Sequence, residues 1–157
     1  MQFINSIIVV DLDKLSEEDF NKFVEKLQKE IIDKEIQEYN EYIVNLFHNP
    51  KNWGKPSEED ISISQSFTGP CGDTMQFFLK INNGIIEKAR FITDGCGASV
   101  ASASQTTQLI EGKTLEFAES LDPKDIDDAL NGLPEDHKHC AELAVRTLKR
   151  AINKYKK

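Results

Sequence analysis

Three cysteines, Cys71, Cys96 and Cys140, stand where a sulfur would be exposed at the entrance to a structural element: Pro70-Cys71-Gly72-Asp73, Gly95-Cys96-Gly97-Ala98 and His137-Lys138-His139-Cys140. Thiolates are soft ligands that favour zinc, copper(I) and iron-sulfur clusters. Asp73 follows the first cysteine by two residues and His139 immediately precedes the third, which makes five donors. A tetrahedral site needs only about four. A carboxylate binds these ions more weakly than sulfur does, so a bond from Asp73 would be labile and would suit a site that releases what it holds. In an extended strand entrance Cys71 and Asp73 would share a face, and the glycines beside Cys71 and Cys96 would let backbone or cluster atoms approach. Cys96 and Cys140 fall at the starts of predicted helices, where free N–H groups and the helix dipole favour the ionised sulfur. Both are therefore expected to be nucleophilic. His137, set among Glu135, Asp136 and Lys138, reads as a surface residue.

The elements that would carry these donors can be read from pattern. Residues 3–10 are rich in β-branched side chains and predict a strand. Ser16 and Asp19 resemble a capping box, and Phe20, Phe23, Val24, Leu27 and Ile31 recur at helical spacing. The period continues through Tyr39, Ile43, Leu46 and Phe47 to the stop at Asn49-Pro50, with a break expected near Ile36. Residues 61–64, 75–81 and 85–92 predict strands, the last pair joined by a tight hairpin through Asn82-Asn83-Gly84. Residues 98–110 predict a helix of small side chains that can lie close to the sheet. Asp122-Pro123 opens a short helix to Leu130, ended by Asn131-Gly132. A last helix starts near His139 and runs through Leu143, Ala144, Leu148 and Ile152, with basic residues at its end.

Bulk properties narrow the function. A chain of 157 residues with 39% hydrophobic content can bury a core without disulfides. A net charge of −8 argues against a nucleic-acid surface, which needs Lys and Arg against phosphate. The apolar run from Ile7 to Val10 is too short for a signal sequence or a membrane span. An odd number of cysteines in such a chain fits a reducing, cytoplasmic compartment.

Taken in order, the motifs from Tyr39 onward resemble the IscU/NifU-type iron-sulfur cluster assembly scaffolds. They are Tyr39-Asn40-Glu41, His48-Asn49-Pro50-Lys51-Asn52, Cys71-Gly72-Asp73, Gly84-Ile85-Ile86, Ala89-Arg90-Phe91, Gly95-Cys96-Gly97-Ala98, Gly112-Lys113-Thr114 and His139-Cys140. The resemblance implies an α+β, SufE/NifU-like fold with a small antiparallel sheet of about three strands packed against helices. It implies a scaffold domain over residues 39–157, preceded by a strand-helix extension over residues 1–38. It also implies a scaffold and carrier, not an enzyme: a transient 2Fe-2S cluster is built from iron and from sulfur supplied by a cysteine desulfurase, then passed to apo iron-sulfur proteins. Cys71, Asp73, Cys96, His139 and Cys140 match the family's ligands for iron, zinc or cluster, and Cys140 matches its persulfide acceptor. Asp73 matches the residue that keeps the cluster exchangeable. Leu133-Pro134-Glu135-Asp136-His137 departs from the family's Leu-Pro-Pro-Val-Lys.

The nearest rival is a zinc-dependent sulfur acceptor of the SufU type serving the same desulfurase. A thiol hydrolase is disfavoured, since neighbouring helical positions such as His139 and Cys140 point in different directions. The extension has three uses open to it: an added edge strand, a homodimer contact through its amphipathic helix, or docking of a desulfurase or recipient. An amphipathic stripe is expected to be buried within its own chain.

Overall fold

The computed structural model describes residues 16–157, so the strand expected at residues 3–10 lies outside the described part. The chain divides into two compact units, Met1–Lys34 and Glu35–Lys157. Helix α1 (Glu17–Glu38), whose last turn belongs to the second unit, opens on a cap. The Ser16 hydroxyl donates to the Asp19 carboxylate at 2.6 Å and accepts the Asp19 N–H at 3.1 Å. No residue of α1 is buried. Phe20, Phe23, Leu27 and Ile31 are each 46–47% exposed.

In the second unit the helical pattern breaks at Tyr39-Asn40 rather than near Ile36. Asn40 caps helix α2 (Glu41–His48) by accepting the Ile43 N–H at 2.9 Å, and its side-chain amide donates to Leu130 O at 2.8 Å. This double use makes a new helix start more favourable than continuation. Strands β1 (Ile63–Thr68), β2 (Thr74–Asn82) and β3 (Ile85–Thr93) form an antiparallel sheet in the order β1-β2-β3. The hairpin between β2 and β3 turns on Asn83 and Gly84, both at positive φ, as a primed two-residue turn requires. The first strand begins later than its sequence pattern suggests, because the Ser62 hydroxyl bonds the Ile81 backbone on both sides, at 3.2 and 2.8 Å.

Four helices follow: α3 (Gly97–Ile110), α4 (Leu115–Ser120), α5 (Pro123–Ala129) and α6 (Lys138–Lys156). One core joins the sheet to α3, α4 and α6 around Met75, Phe77, Phe91, Ile110, Leu148 and Ile152. A second joins α2, α3, α5 and α6 around Ile43, Leu46, Ile126, Leu130 and Cys140. Each large side chain fully buried here contributes roughly 1.5–3 kcal/mol. Helix α3 belongs to both cores and is buried over nearly its whole length. Most of its buried side chains are Ala, Ser or Thr, and Thr106 and Thr107 return their hydroxyls to Ser102 O and Ser104 O at 2.7 Å. Among the described residues no helix is long and apolar enough to cross a membrane.

Candidate metal centre

Three chain segments meet at the first turn of α3. The turn between β1 and β2 is closed by Gly69 N–H to Asp73 O at 2.9 Å and Gly72 N–H to Gly69 O at 3.0 Å. Gly72 has φ +88°, so the segment from Cys71 to Asp73 is not extended and the two side chains do not share a face as expected. The left-handed residue swings Asp73 toward α3 and leaves Cys71 at the exposed apex. The segment before α3 is tied to this turn: Asp94 Oδ1 accepts the Thr74 N–H at 2.7 Å, and the Thr93 hydroxyl donates to Thr74 O at 2.7 Å. Cys96 is the N-cap of α3. The third segment is the 3₁₀ turn Glu135–His137 and the start of α6, which holds Cys140 in its first turn.

The Ser99 hydroxyl is the meeting point. It lies 3.2 Å from Asp73 Oδ2, 3.4 Å from Cys140 Sγ and 3.9 Å from Cys96 Sγ. Ser99 is fully buried, so this small donor bridges groups from three different segments without solvent competition. Gly95 makes the approach possible. A Cβ there would stand 2.6 Å from Ser99 Cβ and 2.9 Å from Asp73 Oδ2.

The two nearest sulfurs do not behave alike. Cys96 is pushed down to about 4, chiefly by its hydrogen bond with Cys140; the N–H and hydroxyl of Ser99 and the Ala98 N–H assist, against partial burial. Cys140 is pushed up by the same hydrogen bond and by burial, with the charges of Cys96 and Asp73 adding to it. The two sulfurs titrate as a pair, so ionising one disfavours ionising the other. That corrects the expectation of two ionised sulfurs. Helix starts favour a thiolate, yet a second negative sulfur in a dry pocket beside the first is unfavourable. All three cysteines are free, Cys71 and Cys96 exposed and Cys140 buried.

His139 is exposed, and its Nε2 lies 3.7 Å from Cys140 Sγ, closer than the divergence of neighbouring helical positions suggests. With Cys71 it lines a groove of about 280 Å³ walled by Phe67, Gly69, Leu143 and Arg146. His137, read from sequence as a surface residue, has a side chain only 19% exposed. Its Nδ1 is 3.9 Å from Cys96 Sγ and its Nε2 3.1 Å from Tyr39 Oη. Cys96, His137 and Cys140 offer ligand atoms all within 4.8 Å of one another. Tyr39 is pushed up to about 12 by burial and by the nearby charges of Glu38, Cys96, Asp136 and Cys140, so its phenol stays neutral. The charged neighbours of His137 concealed it, since its partner Tyr39 is 98 residues away in sequence. Its two-residue spacing from His139 was the only available signal. Soft sulfurs and a carboxylate arranged around one hydroxyl, with imidazoles beside the sulfurs, suit iron or zinc better than a hard cation such as magnesium.

Comparisons with known proteins point to one family. The NifU-like N terminal domain model matches residues 38–157. The iron-sulfur cluster assembly scaffold protein IscU of Aquifex aeolicus is 41% identical over 120 residues, covering 75% of this chain and 76% of its own. The protein of the same name from Escherichia coli is 39% identical over 121 residues, covering 75% of this chain and 94% of its own. The crystal structure of a nitrogen-fixing NifU-like N-terminal protein from Brucella abortus superposes with a TM-score of 0.59 over 77% of this chain and 96% of its own. At 18% identity that likeness is one of fold.

Proposed function

Because the chain belongs to the family of NifU-like N-terminal domains, we propose that it is a scaffold and carrier. On it a transient 2Fe-2S cluster is assembled from iron and desulfurase-derived sulfur, then passed to apo-proteins in a reducing cytoplasm. The observation that carries this reading is the convergence of Asp73, Cys96 and Cys140 on one buried hydroxyl, with exposed Cys71 and His139 beside them. Iron and sulfide are cargo here. Cys71, Asp73, Cys96, His139 and Cys140 form the pool of donors that holds them, and the single carboxylate supplies the weak bond through which the cluster leaves.

Sulfur uptake is assigned to Cys140. Its sulfur attacks the terminal sulfur of a desulfurase persulfide, the donor's S–S bond breaks as a new one forms on Cys140, and the donor departs as a thiolate. No net oxidation occurs in this exchange. The proton that Cys140 gives up neutralises that departing thiolate, so protons and charge balance. Release of that sulfur as cluster sulfide then requires electrons from an added reductant.

The test is anaerobic incubation of the chain with ferrous iron, cysteine, a dithiol and a cysteine desulfurase. Visible sulfur-to-iron charge-transfer absorbance is expected, and its loss in Cys96→Ser and Cys140→Ser. A colourless wild-type chain overturns the reading. If that colourless chain keeps zinc and still takes up sulfur, it is a zinc-dependent sulfur acceptor.

A further inference from the structure

We propose that the groove beside Cys71 binds a small zwitterionic aminothiol of the cysteine class, with Arg146 on its carboxylate, Glu142 on its ammonium and Cys71 facing its sulfur. One element comes from the scaffold reading, the role of Cys71 as a donor; the groove itself is read from its walls. His139, Glu142, Leu143 and Arg146 fall at i, i+3, i+4 and i+7 of α6 and so form one face of that helix. Phe67 near the end of β1 and the turn through Gly69 and Cys71 stand opposite. The space between them measures about 280 Å³. Gly69 keeps it open, since a Cβ there would stand 3.3 Å from Leu143 Cδ1 and 3.7 Å from Cys71 Sγ. Drug-sized ligands fill about 300–1,000 Å³ and a protein partner covers about 800 Å² of surface, so this groove suits a ligand of amino-acid size.

The rim carries both signs of charge. Glu142 and Arg146 are exposed, and among the described residues neither lies in an ion pair. Side chains four apart on a helix are neighbours, with about 5–6 Å between Cβ atoms, so the ammonium and carboxylate on one α-carbon can meet both at once. Hydrogen bonds between charged groups are the strong ones, and a guanidinium takes a carboxylate through two parallel bonds. The Arg150 guanidinium lies over the Phe67 ring at 4.2 Å, which steadies that wall and adds a second positive charge one turn beyond Arg146. Phe67 and the buried Leu143 offer an apolar surface to the ligand's methylene and sulfur. Cys71 is a free, exposed thiol in the same wall.

Occupancy has a chemical consequence when one half of the disulfide cystine sits in the groove. The Cys71 sulfur attacks the nearer cystine sulfur, the S–S bond breaks as a mixed disulfide forms, and the departing cysteine takes the proton that Cys71 gave up. No net oxidation occurs. Cys71 is then capped and withdrawn from the donor pool until a thiol reverses the exchange.

The experiment uses the full reduced, metal-free chain without desulfurase and follows alkylation of each cysteine by iodoacetamide with peptide mapping. S-methylcysteine, which keeps both charged heads and cannot exchange, is expected to slow alkylation of Cys71 in a saturable way and to leave Cys96 unchanged. Methylthioethanol, which lacks the charged heads, should give no protection. In Glu142→Gln and Arg146→Gln, each compared with and without S-methylcysteine, the half-protecting concentration should rise about 10-fold, and Arg146→Lys, which keeps the charge, should lose less. Cystine should add one cysteine to Cys71 faster than neutral hydroxyethyl disulfide adds its thiol, an advantage lost in both Gln variants. Absent or unsaturable slowing, equal protection of Cys96, protection by methylthioethanol, or Gln variants protected like wild type would overturn the assignment and leave the scaffold reading intact. A chain that stays colourless in the assembly assay yet shows this protection would overturn the scaffold reading alone.

Discussion

Replacing Gly95 by alanine perturbs the site with one methyl group. Its backbone φ is not in the left-handed region, so the cost is steric. The added Cβ would stand 2.6 Å from both Cβ and Oγ of Ser99 and 2.9 Å from Asp73 Oδ2, well inside van der Waals contact. Ser99 is anchored in the first turn of buried α3, and Asp73 is held by the Gly69 N–H to its carbonyl. Neither can rotate away cheaply, and overpacking of this kind costs about 1–3 kcal/mol. For a domain of this size that lowers the melting temperature by about 3–10 °C. The same displacement pulls the Ser99 hydroxyl from Cys140 and Asp73, so zinc affinity should fall about 10-fold, as for other lost supporting contacts. Gly84→Ala is the control. It sits at φ +75° with nothing within 4 Å of a new Cβ, so it should lower the melting temperature through backbone strain and leave metal affinity unchanged. A Gly95→Ala chain that melts and binds zinc like wild type would refute the argument that these loops are packed to contact around Ser99.

Other expectations follow from individual groups. In the metal-free chain Cys96, pushed down to about 4, should be alkylated by iodoacetamide at nearly the same rate at pH 6 and pH 8; an ordinary thiol of pKa about 8.5 slows roughly 10-fold per unit below that value, and peptide mapping distinguishes the two. Asp127 is held below the usual carboxylate range: burial alone would raise it, but its hydrogen bonds from Lys138 and the Leu133 N–H outweigh that. A depressed carboxylate stabilises the fold above its unfolded pKa of about 3.9, and that contribution disappears as pH falls through the folded value. Asp127→Asn should therefore melt below wild type at pH 7, and the difference should shrink as pH falls below about 3.9. Ser102 Oγ is buried without a hydrogen-bond partner, so Ser102→Ala should be neutral or raise stability by about 1 kcal/mol in chemical denaturation.

Pattern was enough to read the elements whose residues act locally. The Asn82-Asn83-Gly84 hairpin, the Asp122 cap with Pro123, and the α6 stripe of Leu143, Ala144, Leu148 and Ile152 all lie within a few residues of the groups they bond or pack. Helix α4 escaped because six residues are too few to display a helical period, and only the Thr114 hydroxyl accepting the Phe117 N–H marks its start. The site was legible as a list of donors but not as an arrangement. Gly72 was read as permissive, whereas its positive φ parts Cys71 from Asp73. The contacts that give His137 its position run to Tyr39 and Cys96, far away in the chain. Burial of Cys140 could have been foreseen, since it lies four residues before Ala144 and eight before Leu148 on the apolar face of α6.

The most direct test of the scaffold account is transfer of the assembled cluster to an apo-ferredoxin, followed by visible circular dichroism after the desulfurase has been removed. Wild type is expected to lose its signal as the ferredoxin signal grows in equal amount, and Asp73→Ala is expected to keep its cluster longer. A cluster that stays on the wild-type chain while apo-ferredoxin remains empty would contradict the claim that these donors are built to let their cargo go.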